Sequence, residues 1–290
     1  MIEYIETKSI LSKLKGPDPY FGISYNMNLY RGCQHGCIYC DTRSECYGIG
    51  DISRISVKSN SLELLKKALA SKRKLKGTIG TGSMNDPYMP VEKSLKRTRQ
   101  ALKIISDARY PVHIITKSSL VARDADILKE ISDIYAAVSF TVTASDDNLA
   151  GIIEPHAPPP SNRFEAMYRL AKAGIYTGVT LMPLLPFIND RKENIESIIR
   201  RAKDSGASYV LAMMGVTLRD GSRDYFYTAL DRFFPGMKSR YISAYGNRYE
   251  CFSPDYRALD ETYRSESSKL GIATKMRFYN PDSHVLSLFD

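Results

Sequence analysis

Three cysteines, Cys33, Cys37 and Cys40, fall within eight residues of the run Arg31-Gly32-Cys33-Gln34-His35-Gly36-Cys37-Ile38-Tyr39-Cys40, spaced CxxxCxxC. Thiolates this close together can wrap one soft metal centre. Gly32 and Gly36 allow the backbone to turn tightly around it. A structural zinc site would need a fourth ligand from Cys46 or His35, and Cys46 breaks the usual paired spacing. A redox CxxC would need Cys37-Ile38-Tyr39-Cys40 at a helix start. Unrelated buried cysteines are a further reading. An iron–sulfur cluster on three thiolates uses only what the motif supplies. On a four-iron cluster, three protein ligands leave one iron open to a substrate or cofactor.

The elements that must position this motif are legible as an alternation of strands and helices. Strands are expected at 23–30, 77–82, 112–116, 136–143, 175–182 and 208–214, all rich in Ile, Val, Thr and Tyr. Helices separate them. Asp190 reads as an N-cap with Glu193 in the capping-box position, followed by the stripe Ile195, Ile198, Ile199 and Ala202 and a stop at Gly206. Ser161 reads as a cap for Phe164, Met167, Leu170 and Ala171, ending at Gly174. Ser222 opens a further helix, and Ser253-Pro254 reads as N-cap and N1 of the last. Six strand–helix units imply right-handed crossovers and a parallel sheet, either open or an incomplete barrel. One domain over 1–290 is expected, with the core at about 20–215 and a C-terminal extension at about 216–290.

Composition sets the setting. The chain has 290 residues, with 43% hydrophobic and 25% charged, which are globular values. No apolar run is long enough for a membrane span, and the N-terminus has no leader-like apolar stretch. Five cysteines argue against a disulfide scaffold, so a reduced cytoplasmic setting is expected. The net charge of +9 is local: residues 58–103 hold twelve Lys and Arg against three acids, and the rest of the chain balances. Such a run is either a pair of solvated helix faces or a docking face for nucleic acid or an acidic partner.

CxxxCxxC with Tyr39 before the last cysteine, after the first strand of a βα repeat, resembles the radical S-adenosylmethionine (SAM) superfamily. The segments YRGCQHGCIYC, TGSMNDPYMPVEKSLKRTRQAL, ITKSSLVARDADIL and IEPHAPPPSNRFEAMYRLAKAGI are similar to its spore photoproduct lyase-like branch, also described as DNA repair photolyase-related. The resemblance spans about residues 20–215. It implies a partial (β/α)6 TIM-like barrel, a 4Fe-4S cluster on Cys33, Cys37 and Cys40, and S-adenosyl-L-methionine chelated at the open iron. Reductive cleavage would then give a 5′-deoxyadenosyl radical that abstracts a substrate hydrogen. A flavodoxin or ferredoxin would supply the electron, and a nucleic acid or nucleotide is a candidate substrate. The alternative is a non-catalytic iron–sulfur or zinc protein.

By resemblance, Tyr39 touches the adenine and relays hydrogen, while Ser83 and Asn85 line the cofactor, Asn85 at the methionyl carboxylate. Lys117 pairs with that carboxylate. Ser139 or Thr141 bonds the ribose, Arg163 the carboxylate or ribose side, and Met182 packs on adenine. Glu154 either accepts hydrogen bonds or fixes its proline-rich turn. His35, His113, His156 and His284 show no metal-like spacing and read as surface or locally hydrogen-bonded. Two positions depart from the lyases. Ser83 stands where they carry a hydrogen-returning cysteine, and Asp41 where they carry a tyrosine. Both fall on the hydrogen-return path, which argues against photoproduct repair. Nothing in the sequence places Cys46 or Cys251 near the site as a substitute.

Overall fold

The computed structural model describes residues 2–16, 18–71 and 77–281. Six parallel strands form its centre: β3 (Ile23–Met27), β6 (Thr78–Thr81), β7 (Val112–Thr116), β8 (Ala136–Thr141), β9 (Tyr176–Leu181) and β10 (Tyr209–Ala212). They pair in that order, and the hairpin strand β2 (Leu11–Lys13) adds antiparallel to β3 at one edge. The fold is the expected α/β partial barrel. β6, β7 and β8 are buried at almost every position, as strands between barrel interior and outer helices must be.

Several strands are shorter than their apolar runs. β3 ends at Met27 because Tyr30–Arg31 (β4) leaves the barrel and pairs antiparallel with β5 (Ser56–Lys58). Strand β1 (Glu3–Ile5) completes this small sheet in the order β1-β5-β4. At β6, β8, β9 and β10 the chain leaves the ladder early, so Gly82, Met182 and Met213 line the mouth and Thr143 is freed to bond Glu154 beneath it.

The outer layer is α1 (Ser61–Ala70), α2 (Glu92–Leu95), α3 (Arg97–Asp107), α4 (Ala125–Ser132), α5 (Asp147–Ile153), α6 (Pro160–Lys172) and α7 (Lys192–Asp204). On α7 the stripe Ile195, Ile198, Ile199 and Ala202 is fully buried, as its spacing requires. The caps differ from expectation because tertiary partners took the side chains. Arg191, not Asp190, precedes α7, and Asp190 accepts a hydrogen bond from Ser253 at 2.5 Å. Pro159 precedes α6, while Ser161 donates to Asp147 at 2.6 Å. Asp255 precedes α10 (Tyr256–Lys269), where Ser253 accepts from its amide at 3.2 Å.

After β10 the chain forms β11 (Gly215–Thr217), α8 (Ser222–Phe233), α9 (Met237–Tyr245) and β12 (Glu250–Phe252), which pairs antiparallel with β11. α10 then packs back against α7. Phe226, Leu230 and Tyr241 join Ile38, Tyr39 and Ile153 in a second apolar cluster, so this extension is packed onto the cysteine loop. No helix among the described residues is long and apolar enough to cross a membrane.

Inside the barrel, Ser139 on β8 and Tyr209 on β10 both pair with Gly178 on β9. The Tyr209 ring lies over Gly178 and its hydroxyl meets Ser139 at 2.6 Å. Ser139 also bonds His113 Nε2 at 2.8 Å. A Cβ at Gly178 would stand 2.4 Å from the Tyr209 ring, so alanine has no room. Gly178→Ala is expected to cost about 1–3 kcal/mol by overpacking, read by urea denaturation. An unchanged midpoint would show that Tyr209 does not fill this layer.

Candidate active site

The cysteine loop is held on three sides by its own backbone. Cys33 N–H donates to Ile52 C=O at 2.7 Å, Ile38 N–H to Ile153 C=O at 2.9 Å, and His156 N–H to His35 C=O at 3.1 Å. Gly32 has φ +84°, and a Cβ there would lie 2.5 Å from Arg54 C=O, so the turn into Cys33 requires glycine. Cys33, Cys37 and Cys40 all border one cavity of about 250 Å³ at the C-terminal ends of the parallel strands, where barrels of this kind build their active sites.

The strand ends supply the other walls: Ser83, Asn85 and Asp86 after β6, Ile115 to Lys117 at β7, Thr141 at β8, and Met182 and Pro183 after β9. Met213, Val216 and Thr217 close one side from the C-terminal extension. Asp86 ties the second loop to the third strand. It accepts from Thr116 Oγ1 at 2.6 Å, Lys117 N–H at 2.6 Å and Tyr88 N–H at 2.9 Å. His35 Nδ1 lies 3.4 Å from the same carboxylate. Burial pushes the His35 imidazole below its ordinary range, so a neutral ring sits under the loop.

Beneath Cys37 lies a buried polar network. Glu154 accepts from the Tyr39 hydroxyl and from Thr143 Oγ1 at 3.2 Å, and Arg163 Nη2 stands 2.5 Å from its second oxygen. Arg163 also donates to Pro158 C=O at 2.7 Å and Thr141 C=O at 2.9 Å. Burial alone would raise the Glu154 carboxyl, but Arg163 and Lys117 outweigh it and hold the group below its ordinary value. Burial alone would likewise lower the Lys117 ammonium, and the Cys37 and Glu154 groups reverse that. Lys117 therefore stays charged, its Nζ 5.6 Å from the Tyr39 ring centre.

Nine of the expected site residues meet at this cavity: Cys33, Cys37, Tyr39, Cys40, Ser83, Asn85, Lys117, Thr141 and Met182. Two do not. Ser139 lies a layer deeper, its hydroxyl taken by Tyr209 and His113, so the ribose role expected for it has no atom to perform it. Arg163 is 1% exposed and spent on Glu154 and two carbonyls, which corrects the expectation that it binds the cofactor. Asn85 lines the cavity, but its amide donates to Tyr30 C=O at 2.8 Å. His35 and His113 are buried rather than at the surface, His156 is exposed, and His284 lies outside the described residues. Cys46 is exposed and does not border the cavity, and Cys251 is buried in the second apolar cluster. Asp86 was legible only as part of the loop motif after β6, and Val216 and Thr217 carried no sequence signal.

The three thiols suit a cluster rather than one ion. Among the described residues no three His, Cys, Asp or Glu groups converge closely enough to hold a single metal ion. A zinc site needs such convergence, whereas thiolates on different irons of a cluster do not meet at a point. Burial pushes the Cys33 thiol up to about 11 and raises the Cys37 thiol as well, and a cationic centre bound here would favour the thiolates.

Comparison with known proteins agrees. Residues 27–202 match the radical SAM superfamily. The chain belongs to that superfamily. A radical SAM protein uses a 4Fe-4S cluster and S-adenosylmethionine, and this chain is accordingly an enzyme. An uncharacterized protein of Methanocaldococcus jannaschii is 37% identical over 205 residues, covering 70% of this chain and 74% of that one. A protein of Pseudomonas phage M6 named as a radical SAM Nalpha-GlyT isomerase is 25% identical over 182 residues, covering 62% of this chain and 36% of its own. Among solved structures, spore photoproduct lyase complexed with dinucleoside spore photoproduct superposes with a TM-score of 0.71 at 13% identity, covering 93% of this chain and 79% of the lyase. At that identity the likeness establishes the fold.

Arg163→Met strands the Glu154 carboxylate in the interior and is expected to cost about 3–5 kcal/mol. The double variant Arg163→Met, Glu154→Leu should recover part of the loss, measured by chemical denaturation. Equal losses for single and double variants would show that the pair is not coupled. The sign with pH follows from the lowered Glu154 group. Its stabilisation is present above the ordinary carboxyl value of 4.5 and is lost as pH falls through the lower folded value. Acid unfolding of Glu154→Gln should therefore be less steep than that of wild type.

Proposed function

We propose that this radical SAM enzyme abstracts hydrogen from a nucleic acid or nucleotide substrate held at the mouth of the barrel. The observation that carries the reading is the placement of the three cysteines on one cavity with Lys117, Thr141 and Met182, at the C-terminal strand ends. With cluster and S-adenosylmethionine bound, the chemistry supplied is reductive cleavage of the sulfonium to a 5′-deoxyadenosyl radical.

The chain's own residues bind and orient. Cys33, Cys37 and Cys40 hold the cluster. Lys117 offers a fixed positive charge to the methionyl carboxylate as a point charge. Thr141, whose hydroxyl lies 2.9 Å from that of Thr180, offers a donor or acceptor for the ribose. Met182 gives adenine a polarisable surface, and Ser83 borders the same space. Tyr39 takes part through its main chain, since its hydroxyl is committed to Glu154 in a fully buried site. Asn85, with its amide on Tyr30, shapes the wall. A flavodoxin or ferredoxin is the proposed electron donor.

The nucleic-acid reading draws on two likenesses, a lyase bound to a dinucleoside lesion and a phage relative named as an isomerase. The basic stretch supports it less than its composition suggests. Of its twelve bases, Lys72, Arg73, Lys74 and Lys76 lie outside the described residues. Arg99 is paired with Asp124 and Asp126, Lys103 with Asp107 and Glu130, and Lys67 with Glu63. Ser83 and Asp41 stand at the two positions of the lyases' hydrogen-return path, so the reaction completed here is not photoproduct repair.

Anaerobically reconstituted protein should carry about four iron and four sulfide per chain. With dithionite and S-adenosylmethionine it should release 5′-deoxyadenosine. Cys37→Ala should lose both iron and product. Product at the same level from Cys37→Ala would sink the assignment. With deuterated oligonucleotides as substrate, label should move into 5′-deoxyadenosine.

A further inference from the structure

Beside the main cavity, sharing Met84 and Asn85 with it, lies a second cavity of about 330 Å³. It sits at the edge of the small sheet and is lined by Arg31 from β4, Lys58 from β5 and Asn28. Arg31 pairs with Ser56 across the ladder, so Lys58, two residues on, lies on the same face as a diagonal neighbour at roughly 7–8 Å. Two cations thus share one face. Burial, and then the Arg31 charge, push the Lys58 ammonium below its ordinary range.

The charge here is not cancelled locally. Among the described residues neither Arg31 nor Lys58 has a carboxylate within ion-pair distance. Arg31 donates to Gly48 C=O instead. A third cation, Arg97, donates to Lys58 C=O at 3.0 Å and Ser59 C=O at 2.8 Å. The nearby acids are Glu6, exposed on the cavity rim, Glu3, which accepts from Ser56 at 3.0 Å, and Asp51, which borders Arg31 on its other side and pairs with Arg54 at 3.7 Å. Among the described residues, the other bases of the stretch lie on or beside α1, α2 and α3, and Lys67, Arg99 and Lys103 are each paired with an acid. Arg31 and Lys58 sit on adjacent strands of the small sheet, in a cavity that shares a wall with the active site.

We propose that the Arg31–Lys58 cavity binds a phosphate group of the substrate, placing the attached nucleoside at the neighbouring active-site cavity. The assignment rests on the nucleic-acid reading above and names the site that would hold the backbone. Two like charges on one face, neither in an ion pair, favour an anion, and phosphate accepts from both a guanidinium and an ammonium. Asn85 links the two cavities mechanically, since its amide is bonded to the carbonyl of Tyr30, next to Arg31.

The test measures anisotropy of a fluorescein-labelled single-stranded oligonucleotide against salt, using the reconstituted enzyme. Arg31→Gln and Lys58→Gln should each weaken binding about fivefold or more, and each should reduce the slope of log K against log salt by about 0.7. Lys192→Gln, exposed at the start of α7, is the control for general charge loss. Abortive 5′-deoxyadenosine release without oligonucleotide should be unchanged in both cavity variants, which also reports that they fold and load the cluster. A nucleoside 5′-monophosphate competing equally well would assign the site to a terminal phosphate. Competition by a longer strand alone would assign it to a phosphodiester. If wild type binds strands but neither cavity variant alters slope or affinity, the subsite is wrong and the nucleic-acid reading survives. If wild type binds neither strand nor nucleotide at low salt, both fail.

Discussion

Glu154 is a carboxylate with no solvent access, and the site is arranged so that it stays charged. Removing such a group from water costs several kcal/mol unless partners replace the hydration. Arg163 provides the opposite charge, Tyr39 and Thr143 the hydrogen bonds, and Lys117 a second cation nearby. Each partner comes from a different segment: the cysteine loop, the end of β8, the start of α6 and the end of β7. The charge therefore fixes those four segments relative to one another. Because Tyr39 lies between Cys37 and Cys40, the cysteine loop cannot shift without exposing the carboxylate to an unpaired interior. The buried ion pair is thus a positioning device, and its value lies in geometry more than in net stability.

A second constraint acts from the other side of the loop. Asp86 receives Thr116, Lys117 N–H and Tyr88 N–H, which locks the loop after β6 onto the end of β7. Lys117 is thereby held at its backbone by one acid while its ammonium is kept charged by another. A flexible four-carbon side chain gains a defined starting point and a defined charge state. The two acids divide the work, Asp86 setting position and Glu154 setting electrostatics.

The parts that were legible in the sequence are those whose signal is local. Six strands and the α7 stripe follow from short-range patterning, and the cysteine spacing is complete within eight residues. Asp190 and Ser161 do not cap their helices because each side chain has a partner elsewhere in the fold, whereas Ser253 keeps a local bond from the Asp255 amide while donating to Asp190. Capping is a default that a tertiary hydrogen bond overrides. Arg163 lies beneath the cavity and not on it, and nothing in its spacing from Glu154 reveals which of cofactor and carboxylate takes the guanidinium. Ser139 failed for a related reason. Alternation along β8 identifies an inward hydroxyl, but depth in the barrel depends on Gly178 and Tyr209 from other strands. The extension was unreadable as part of the site because Val216 and Thr217 reach the cavity only after α8 and α9 pack on the cysteine loop.

Asp41 shows how a single departure from the lyase pattern reshapes the mouth. Its carboxylate accepts from Tyr47 at 3.0 Å and from Arg219 Nε at 3.2 Å, and Arg219 also reaches the Tyr249 hydroxyl at 2.9 Å. Arg219 and Tyr249 belong to the extension, flanking β11 and β12. A tyrosine in place of Asp41 would offer the guanidinium no negative charge, so the latch between cysteine loop and extension depends on the acid. Next to it, Arg43 lies 3.5 Å over the Tyr225 ring on α8, a second cationic tie between the same two segments. Asp41 thus anchors the cysteine loop to the extension. With Ser83 lacking a weak S–H bond at the other position, both changes point the same way. The cavity is lined by the three cysteines, Ser83 and Lys117, and one of its walls comes from the C-terminal extension through Val216 and Thr217.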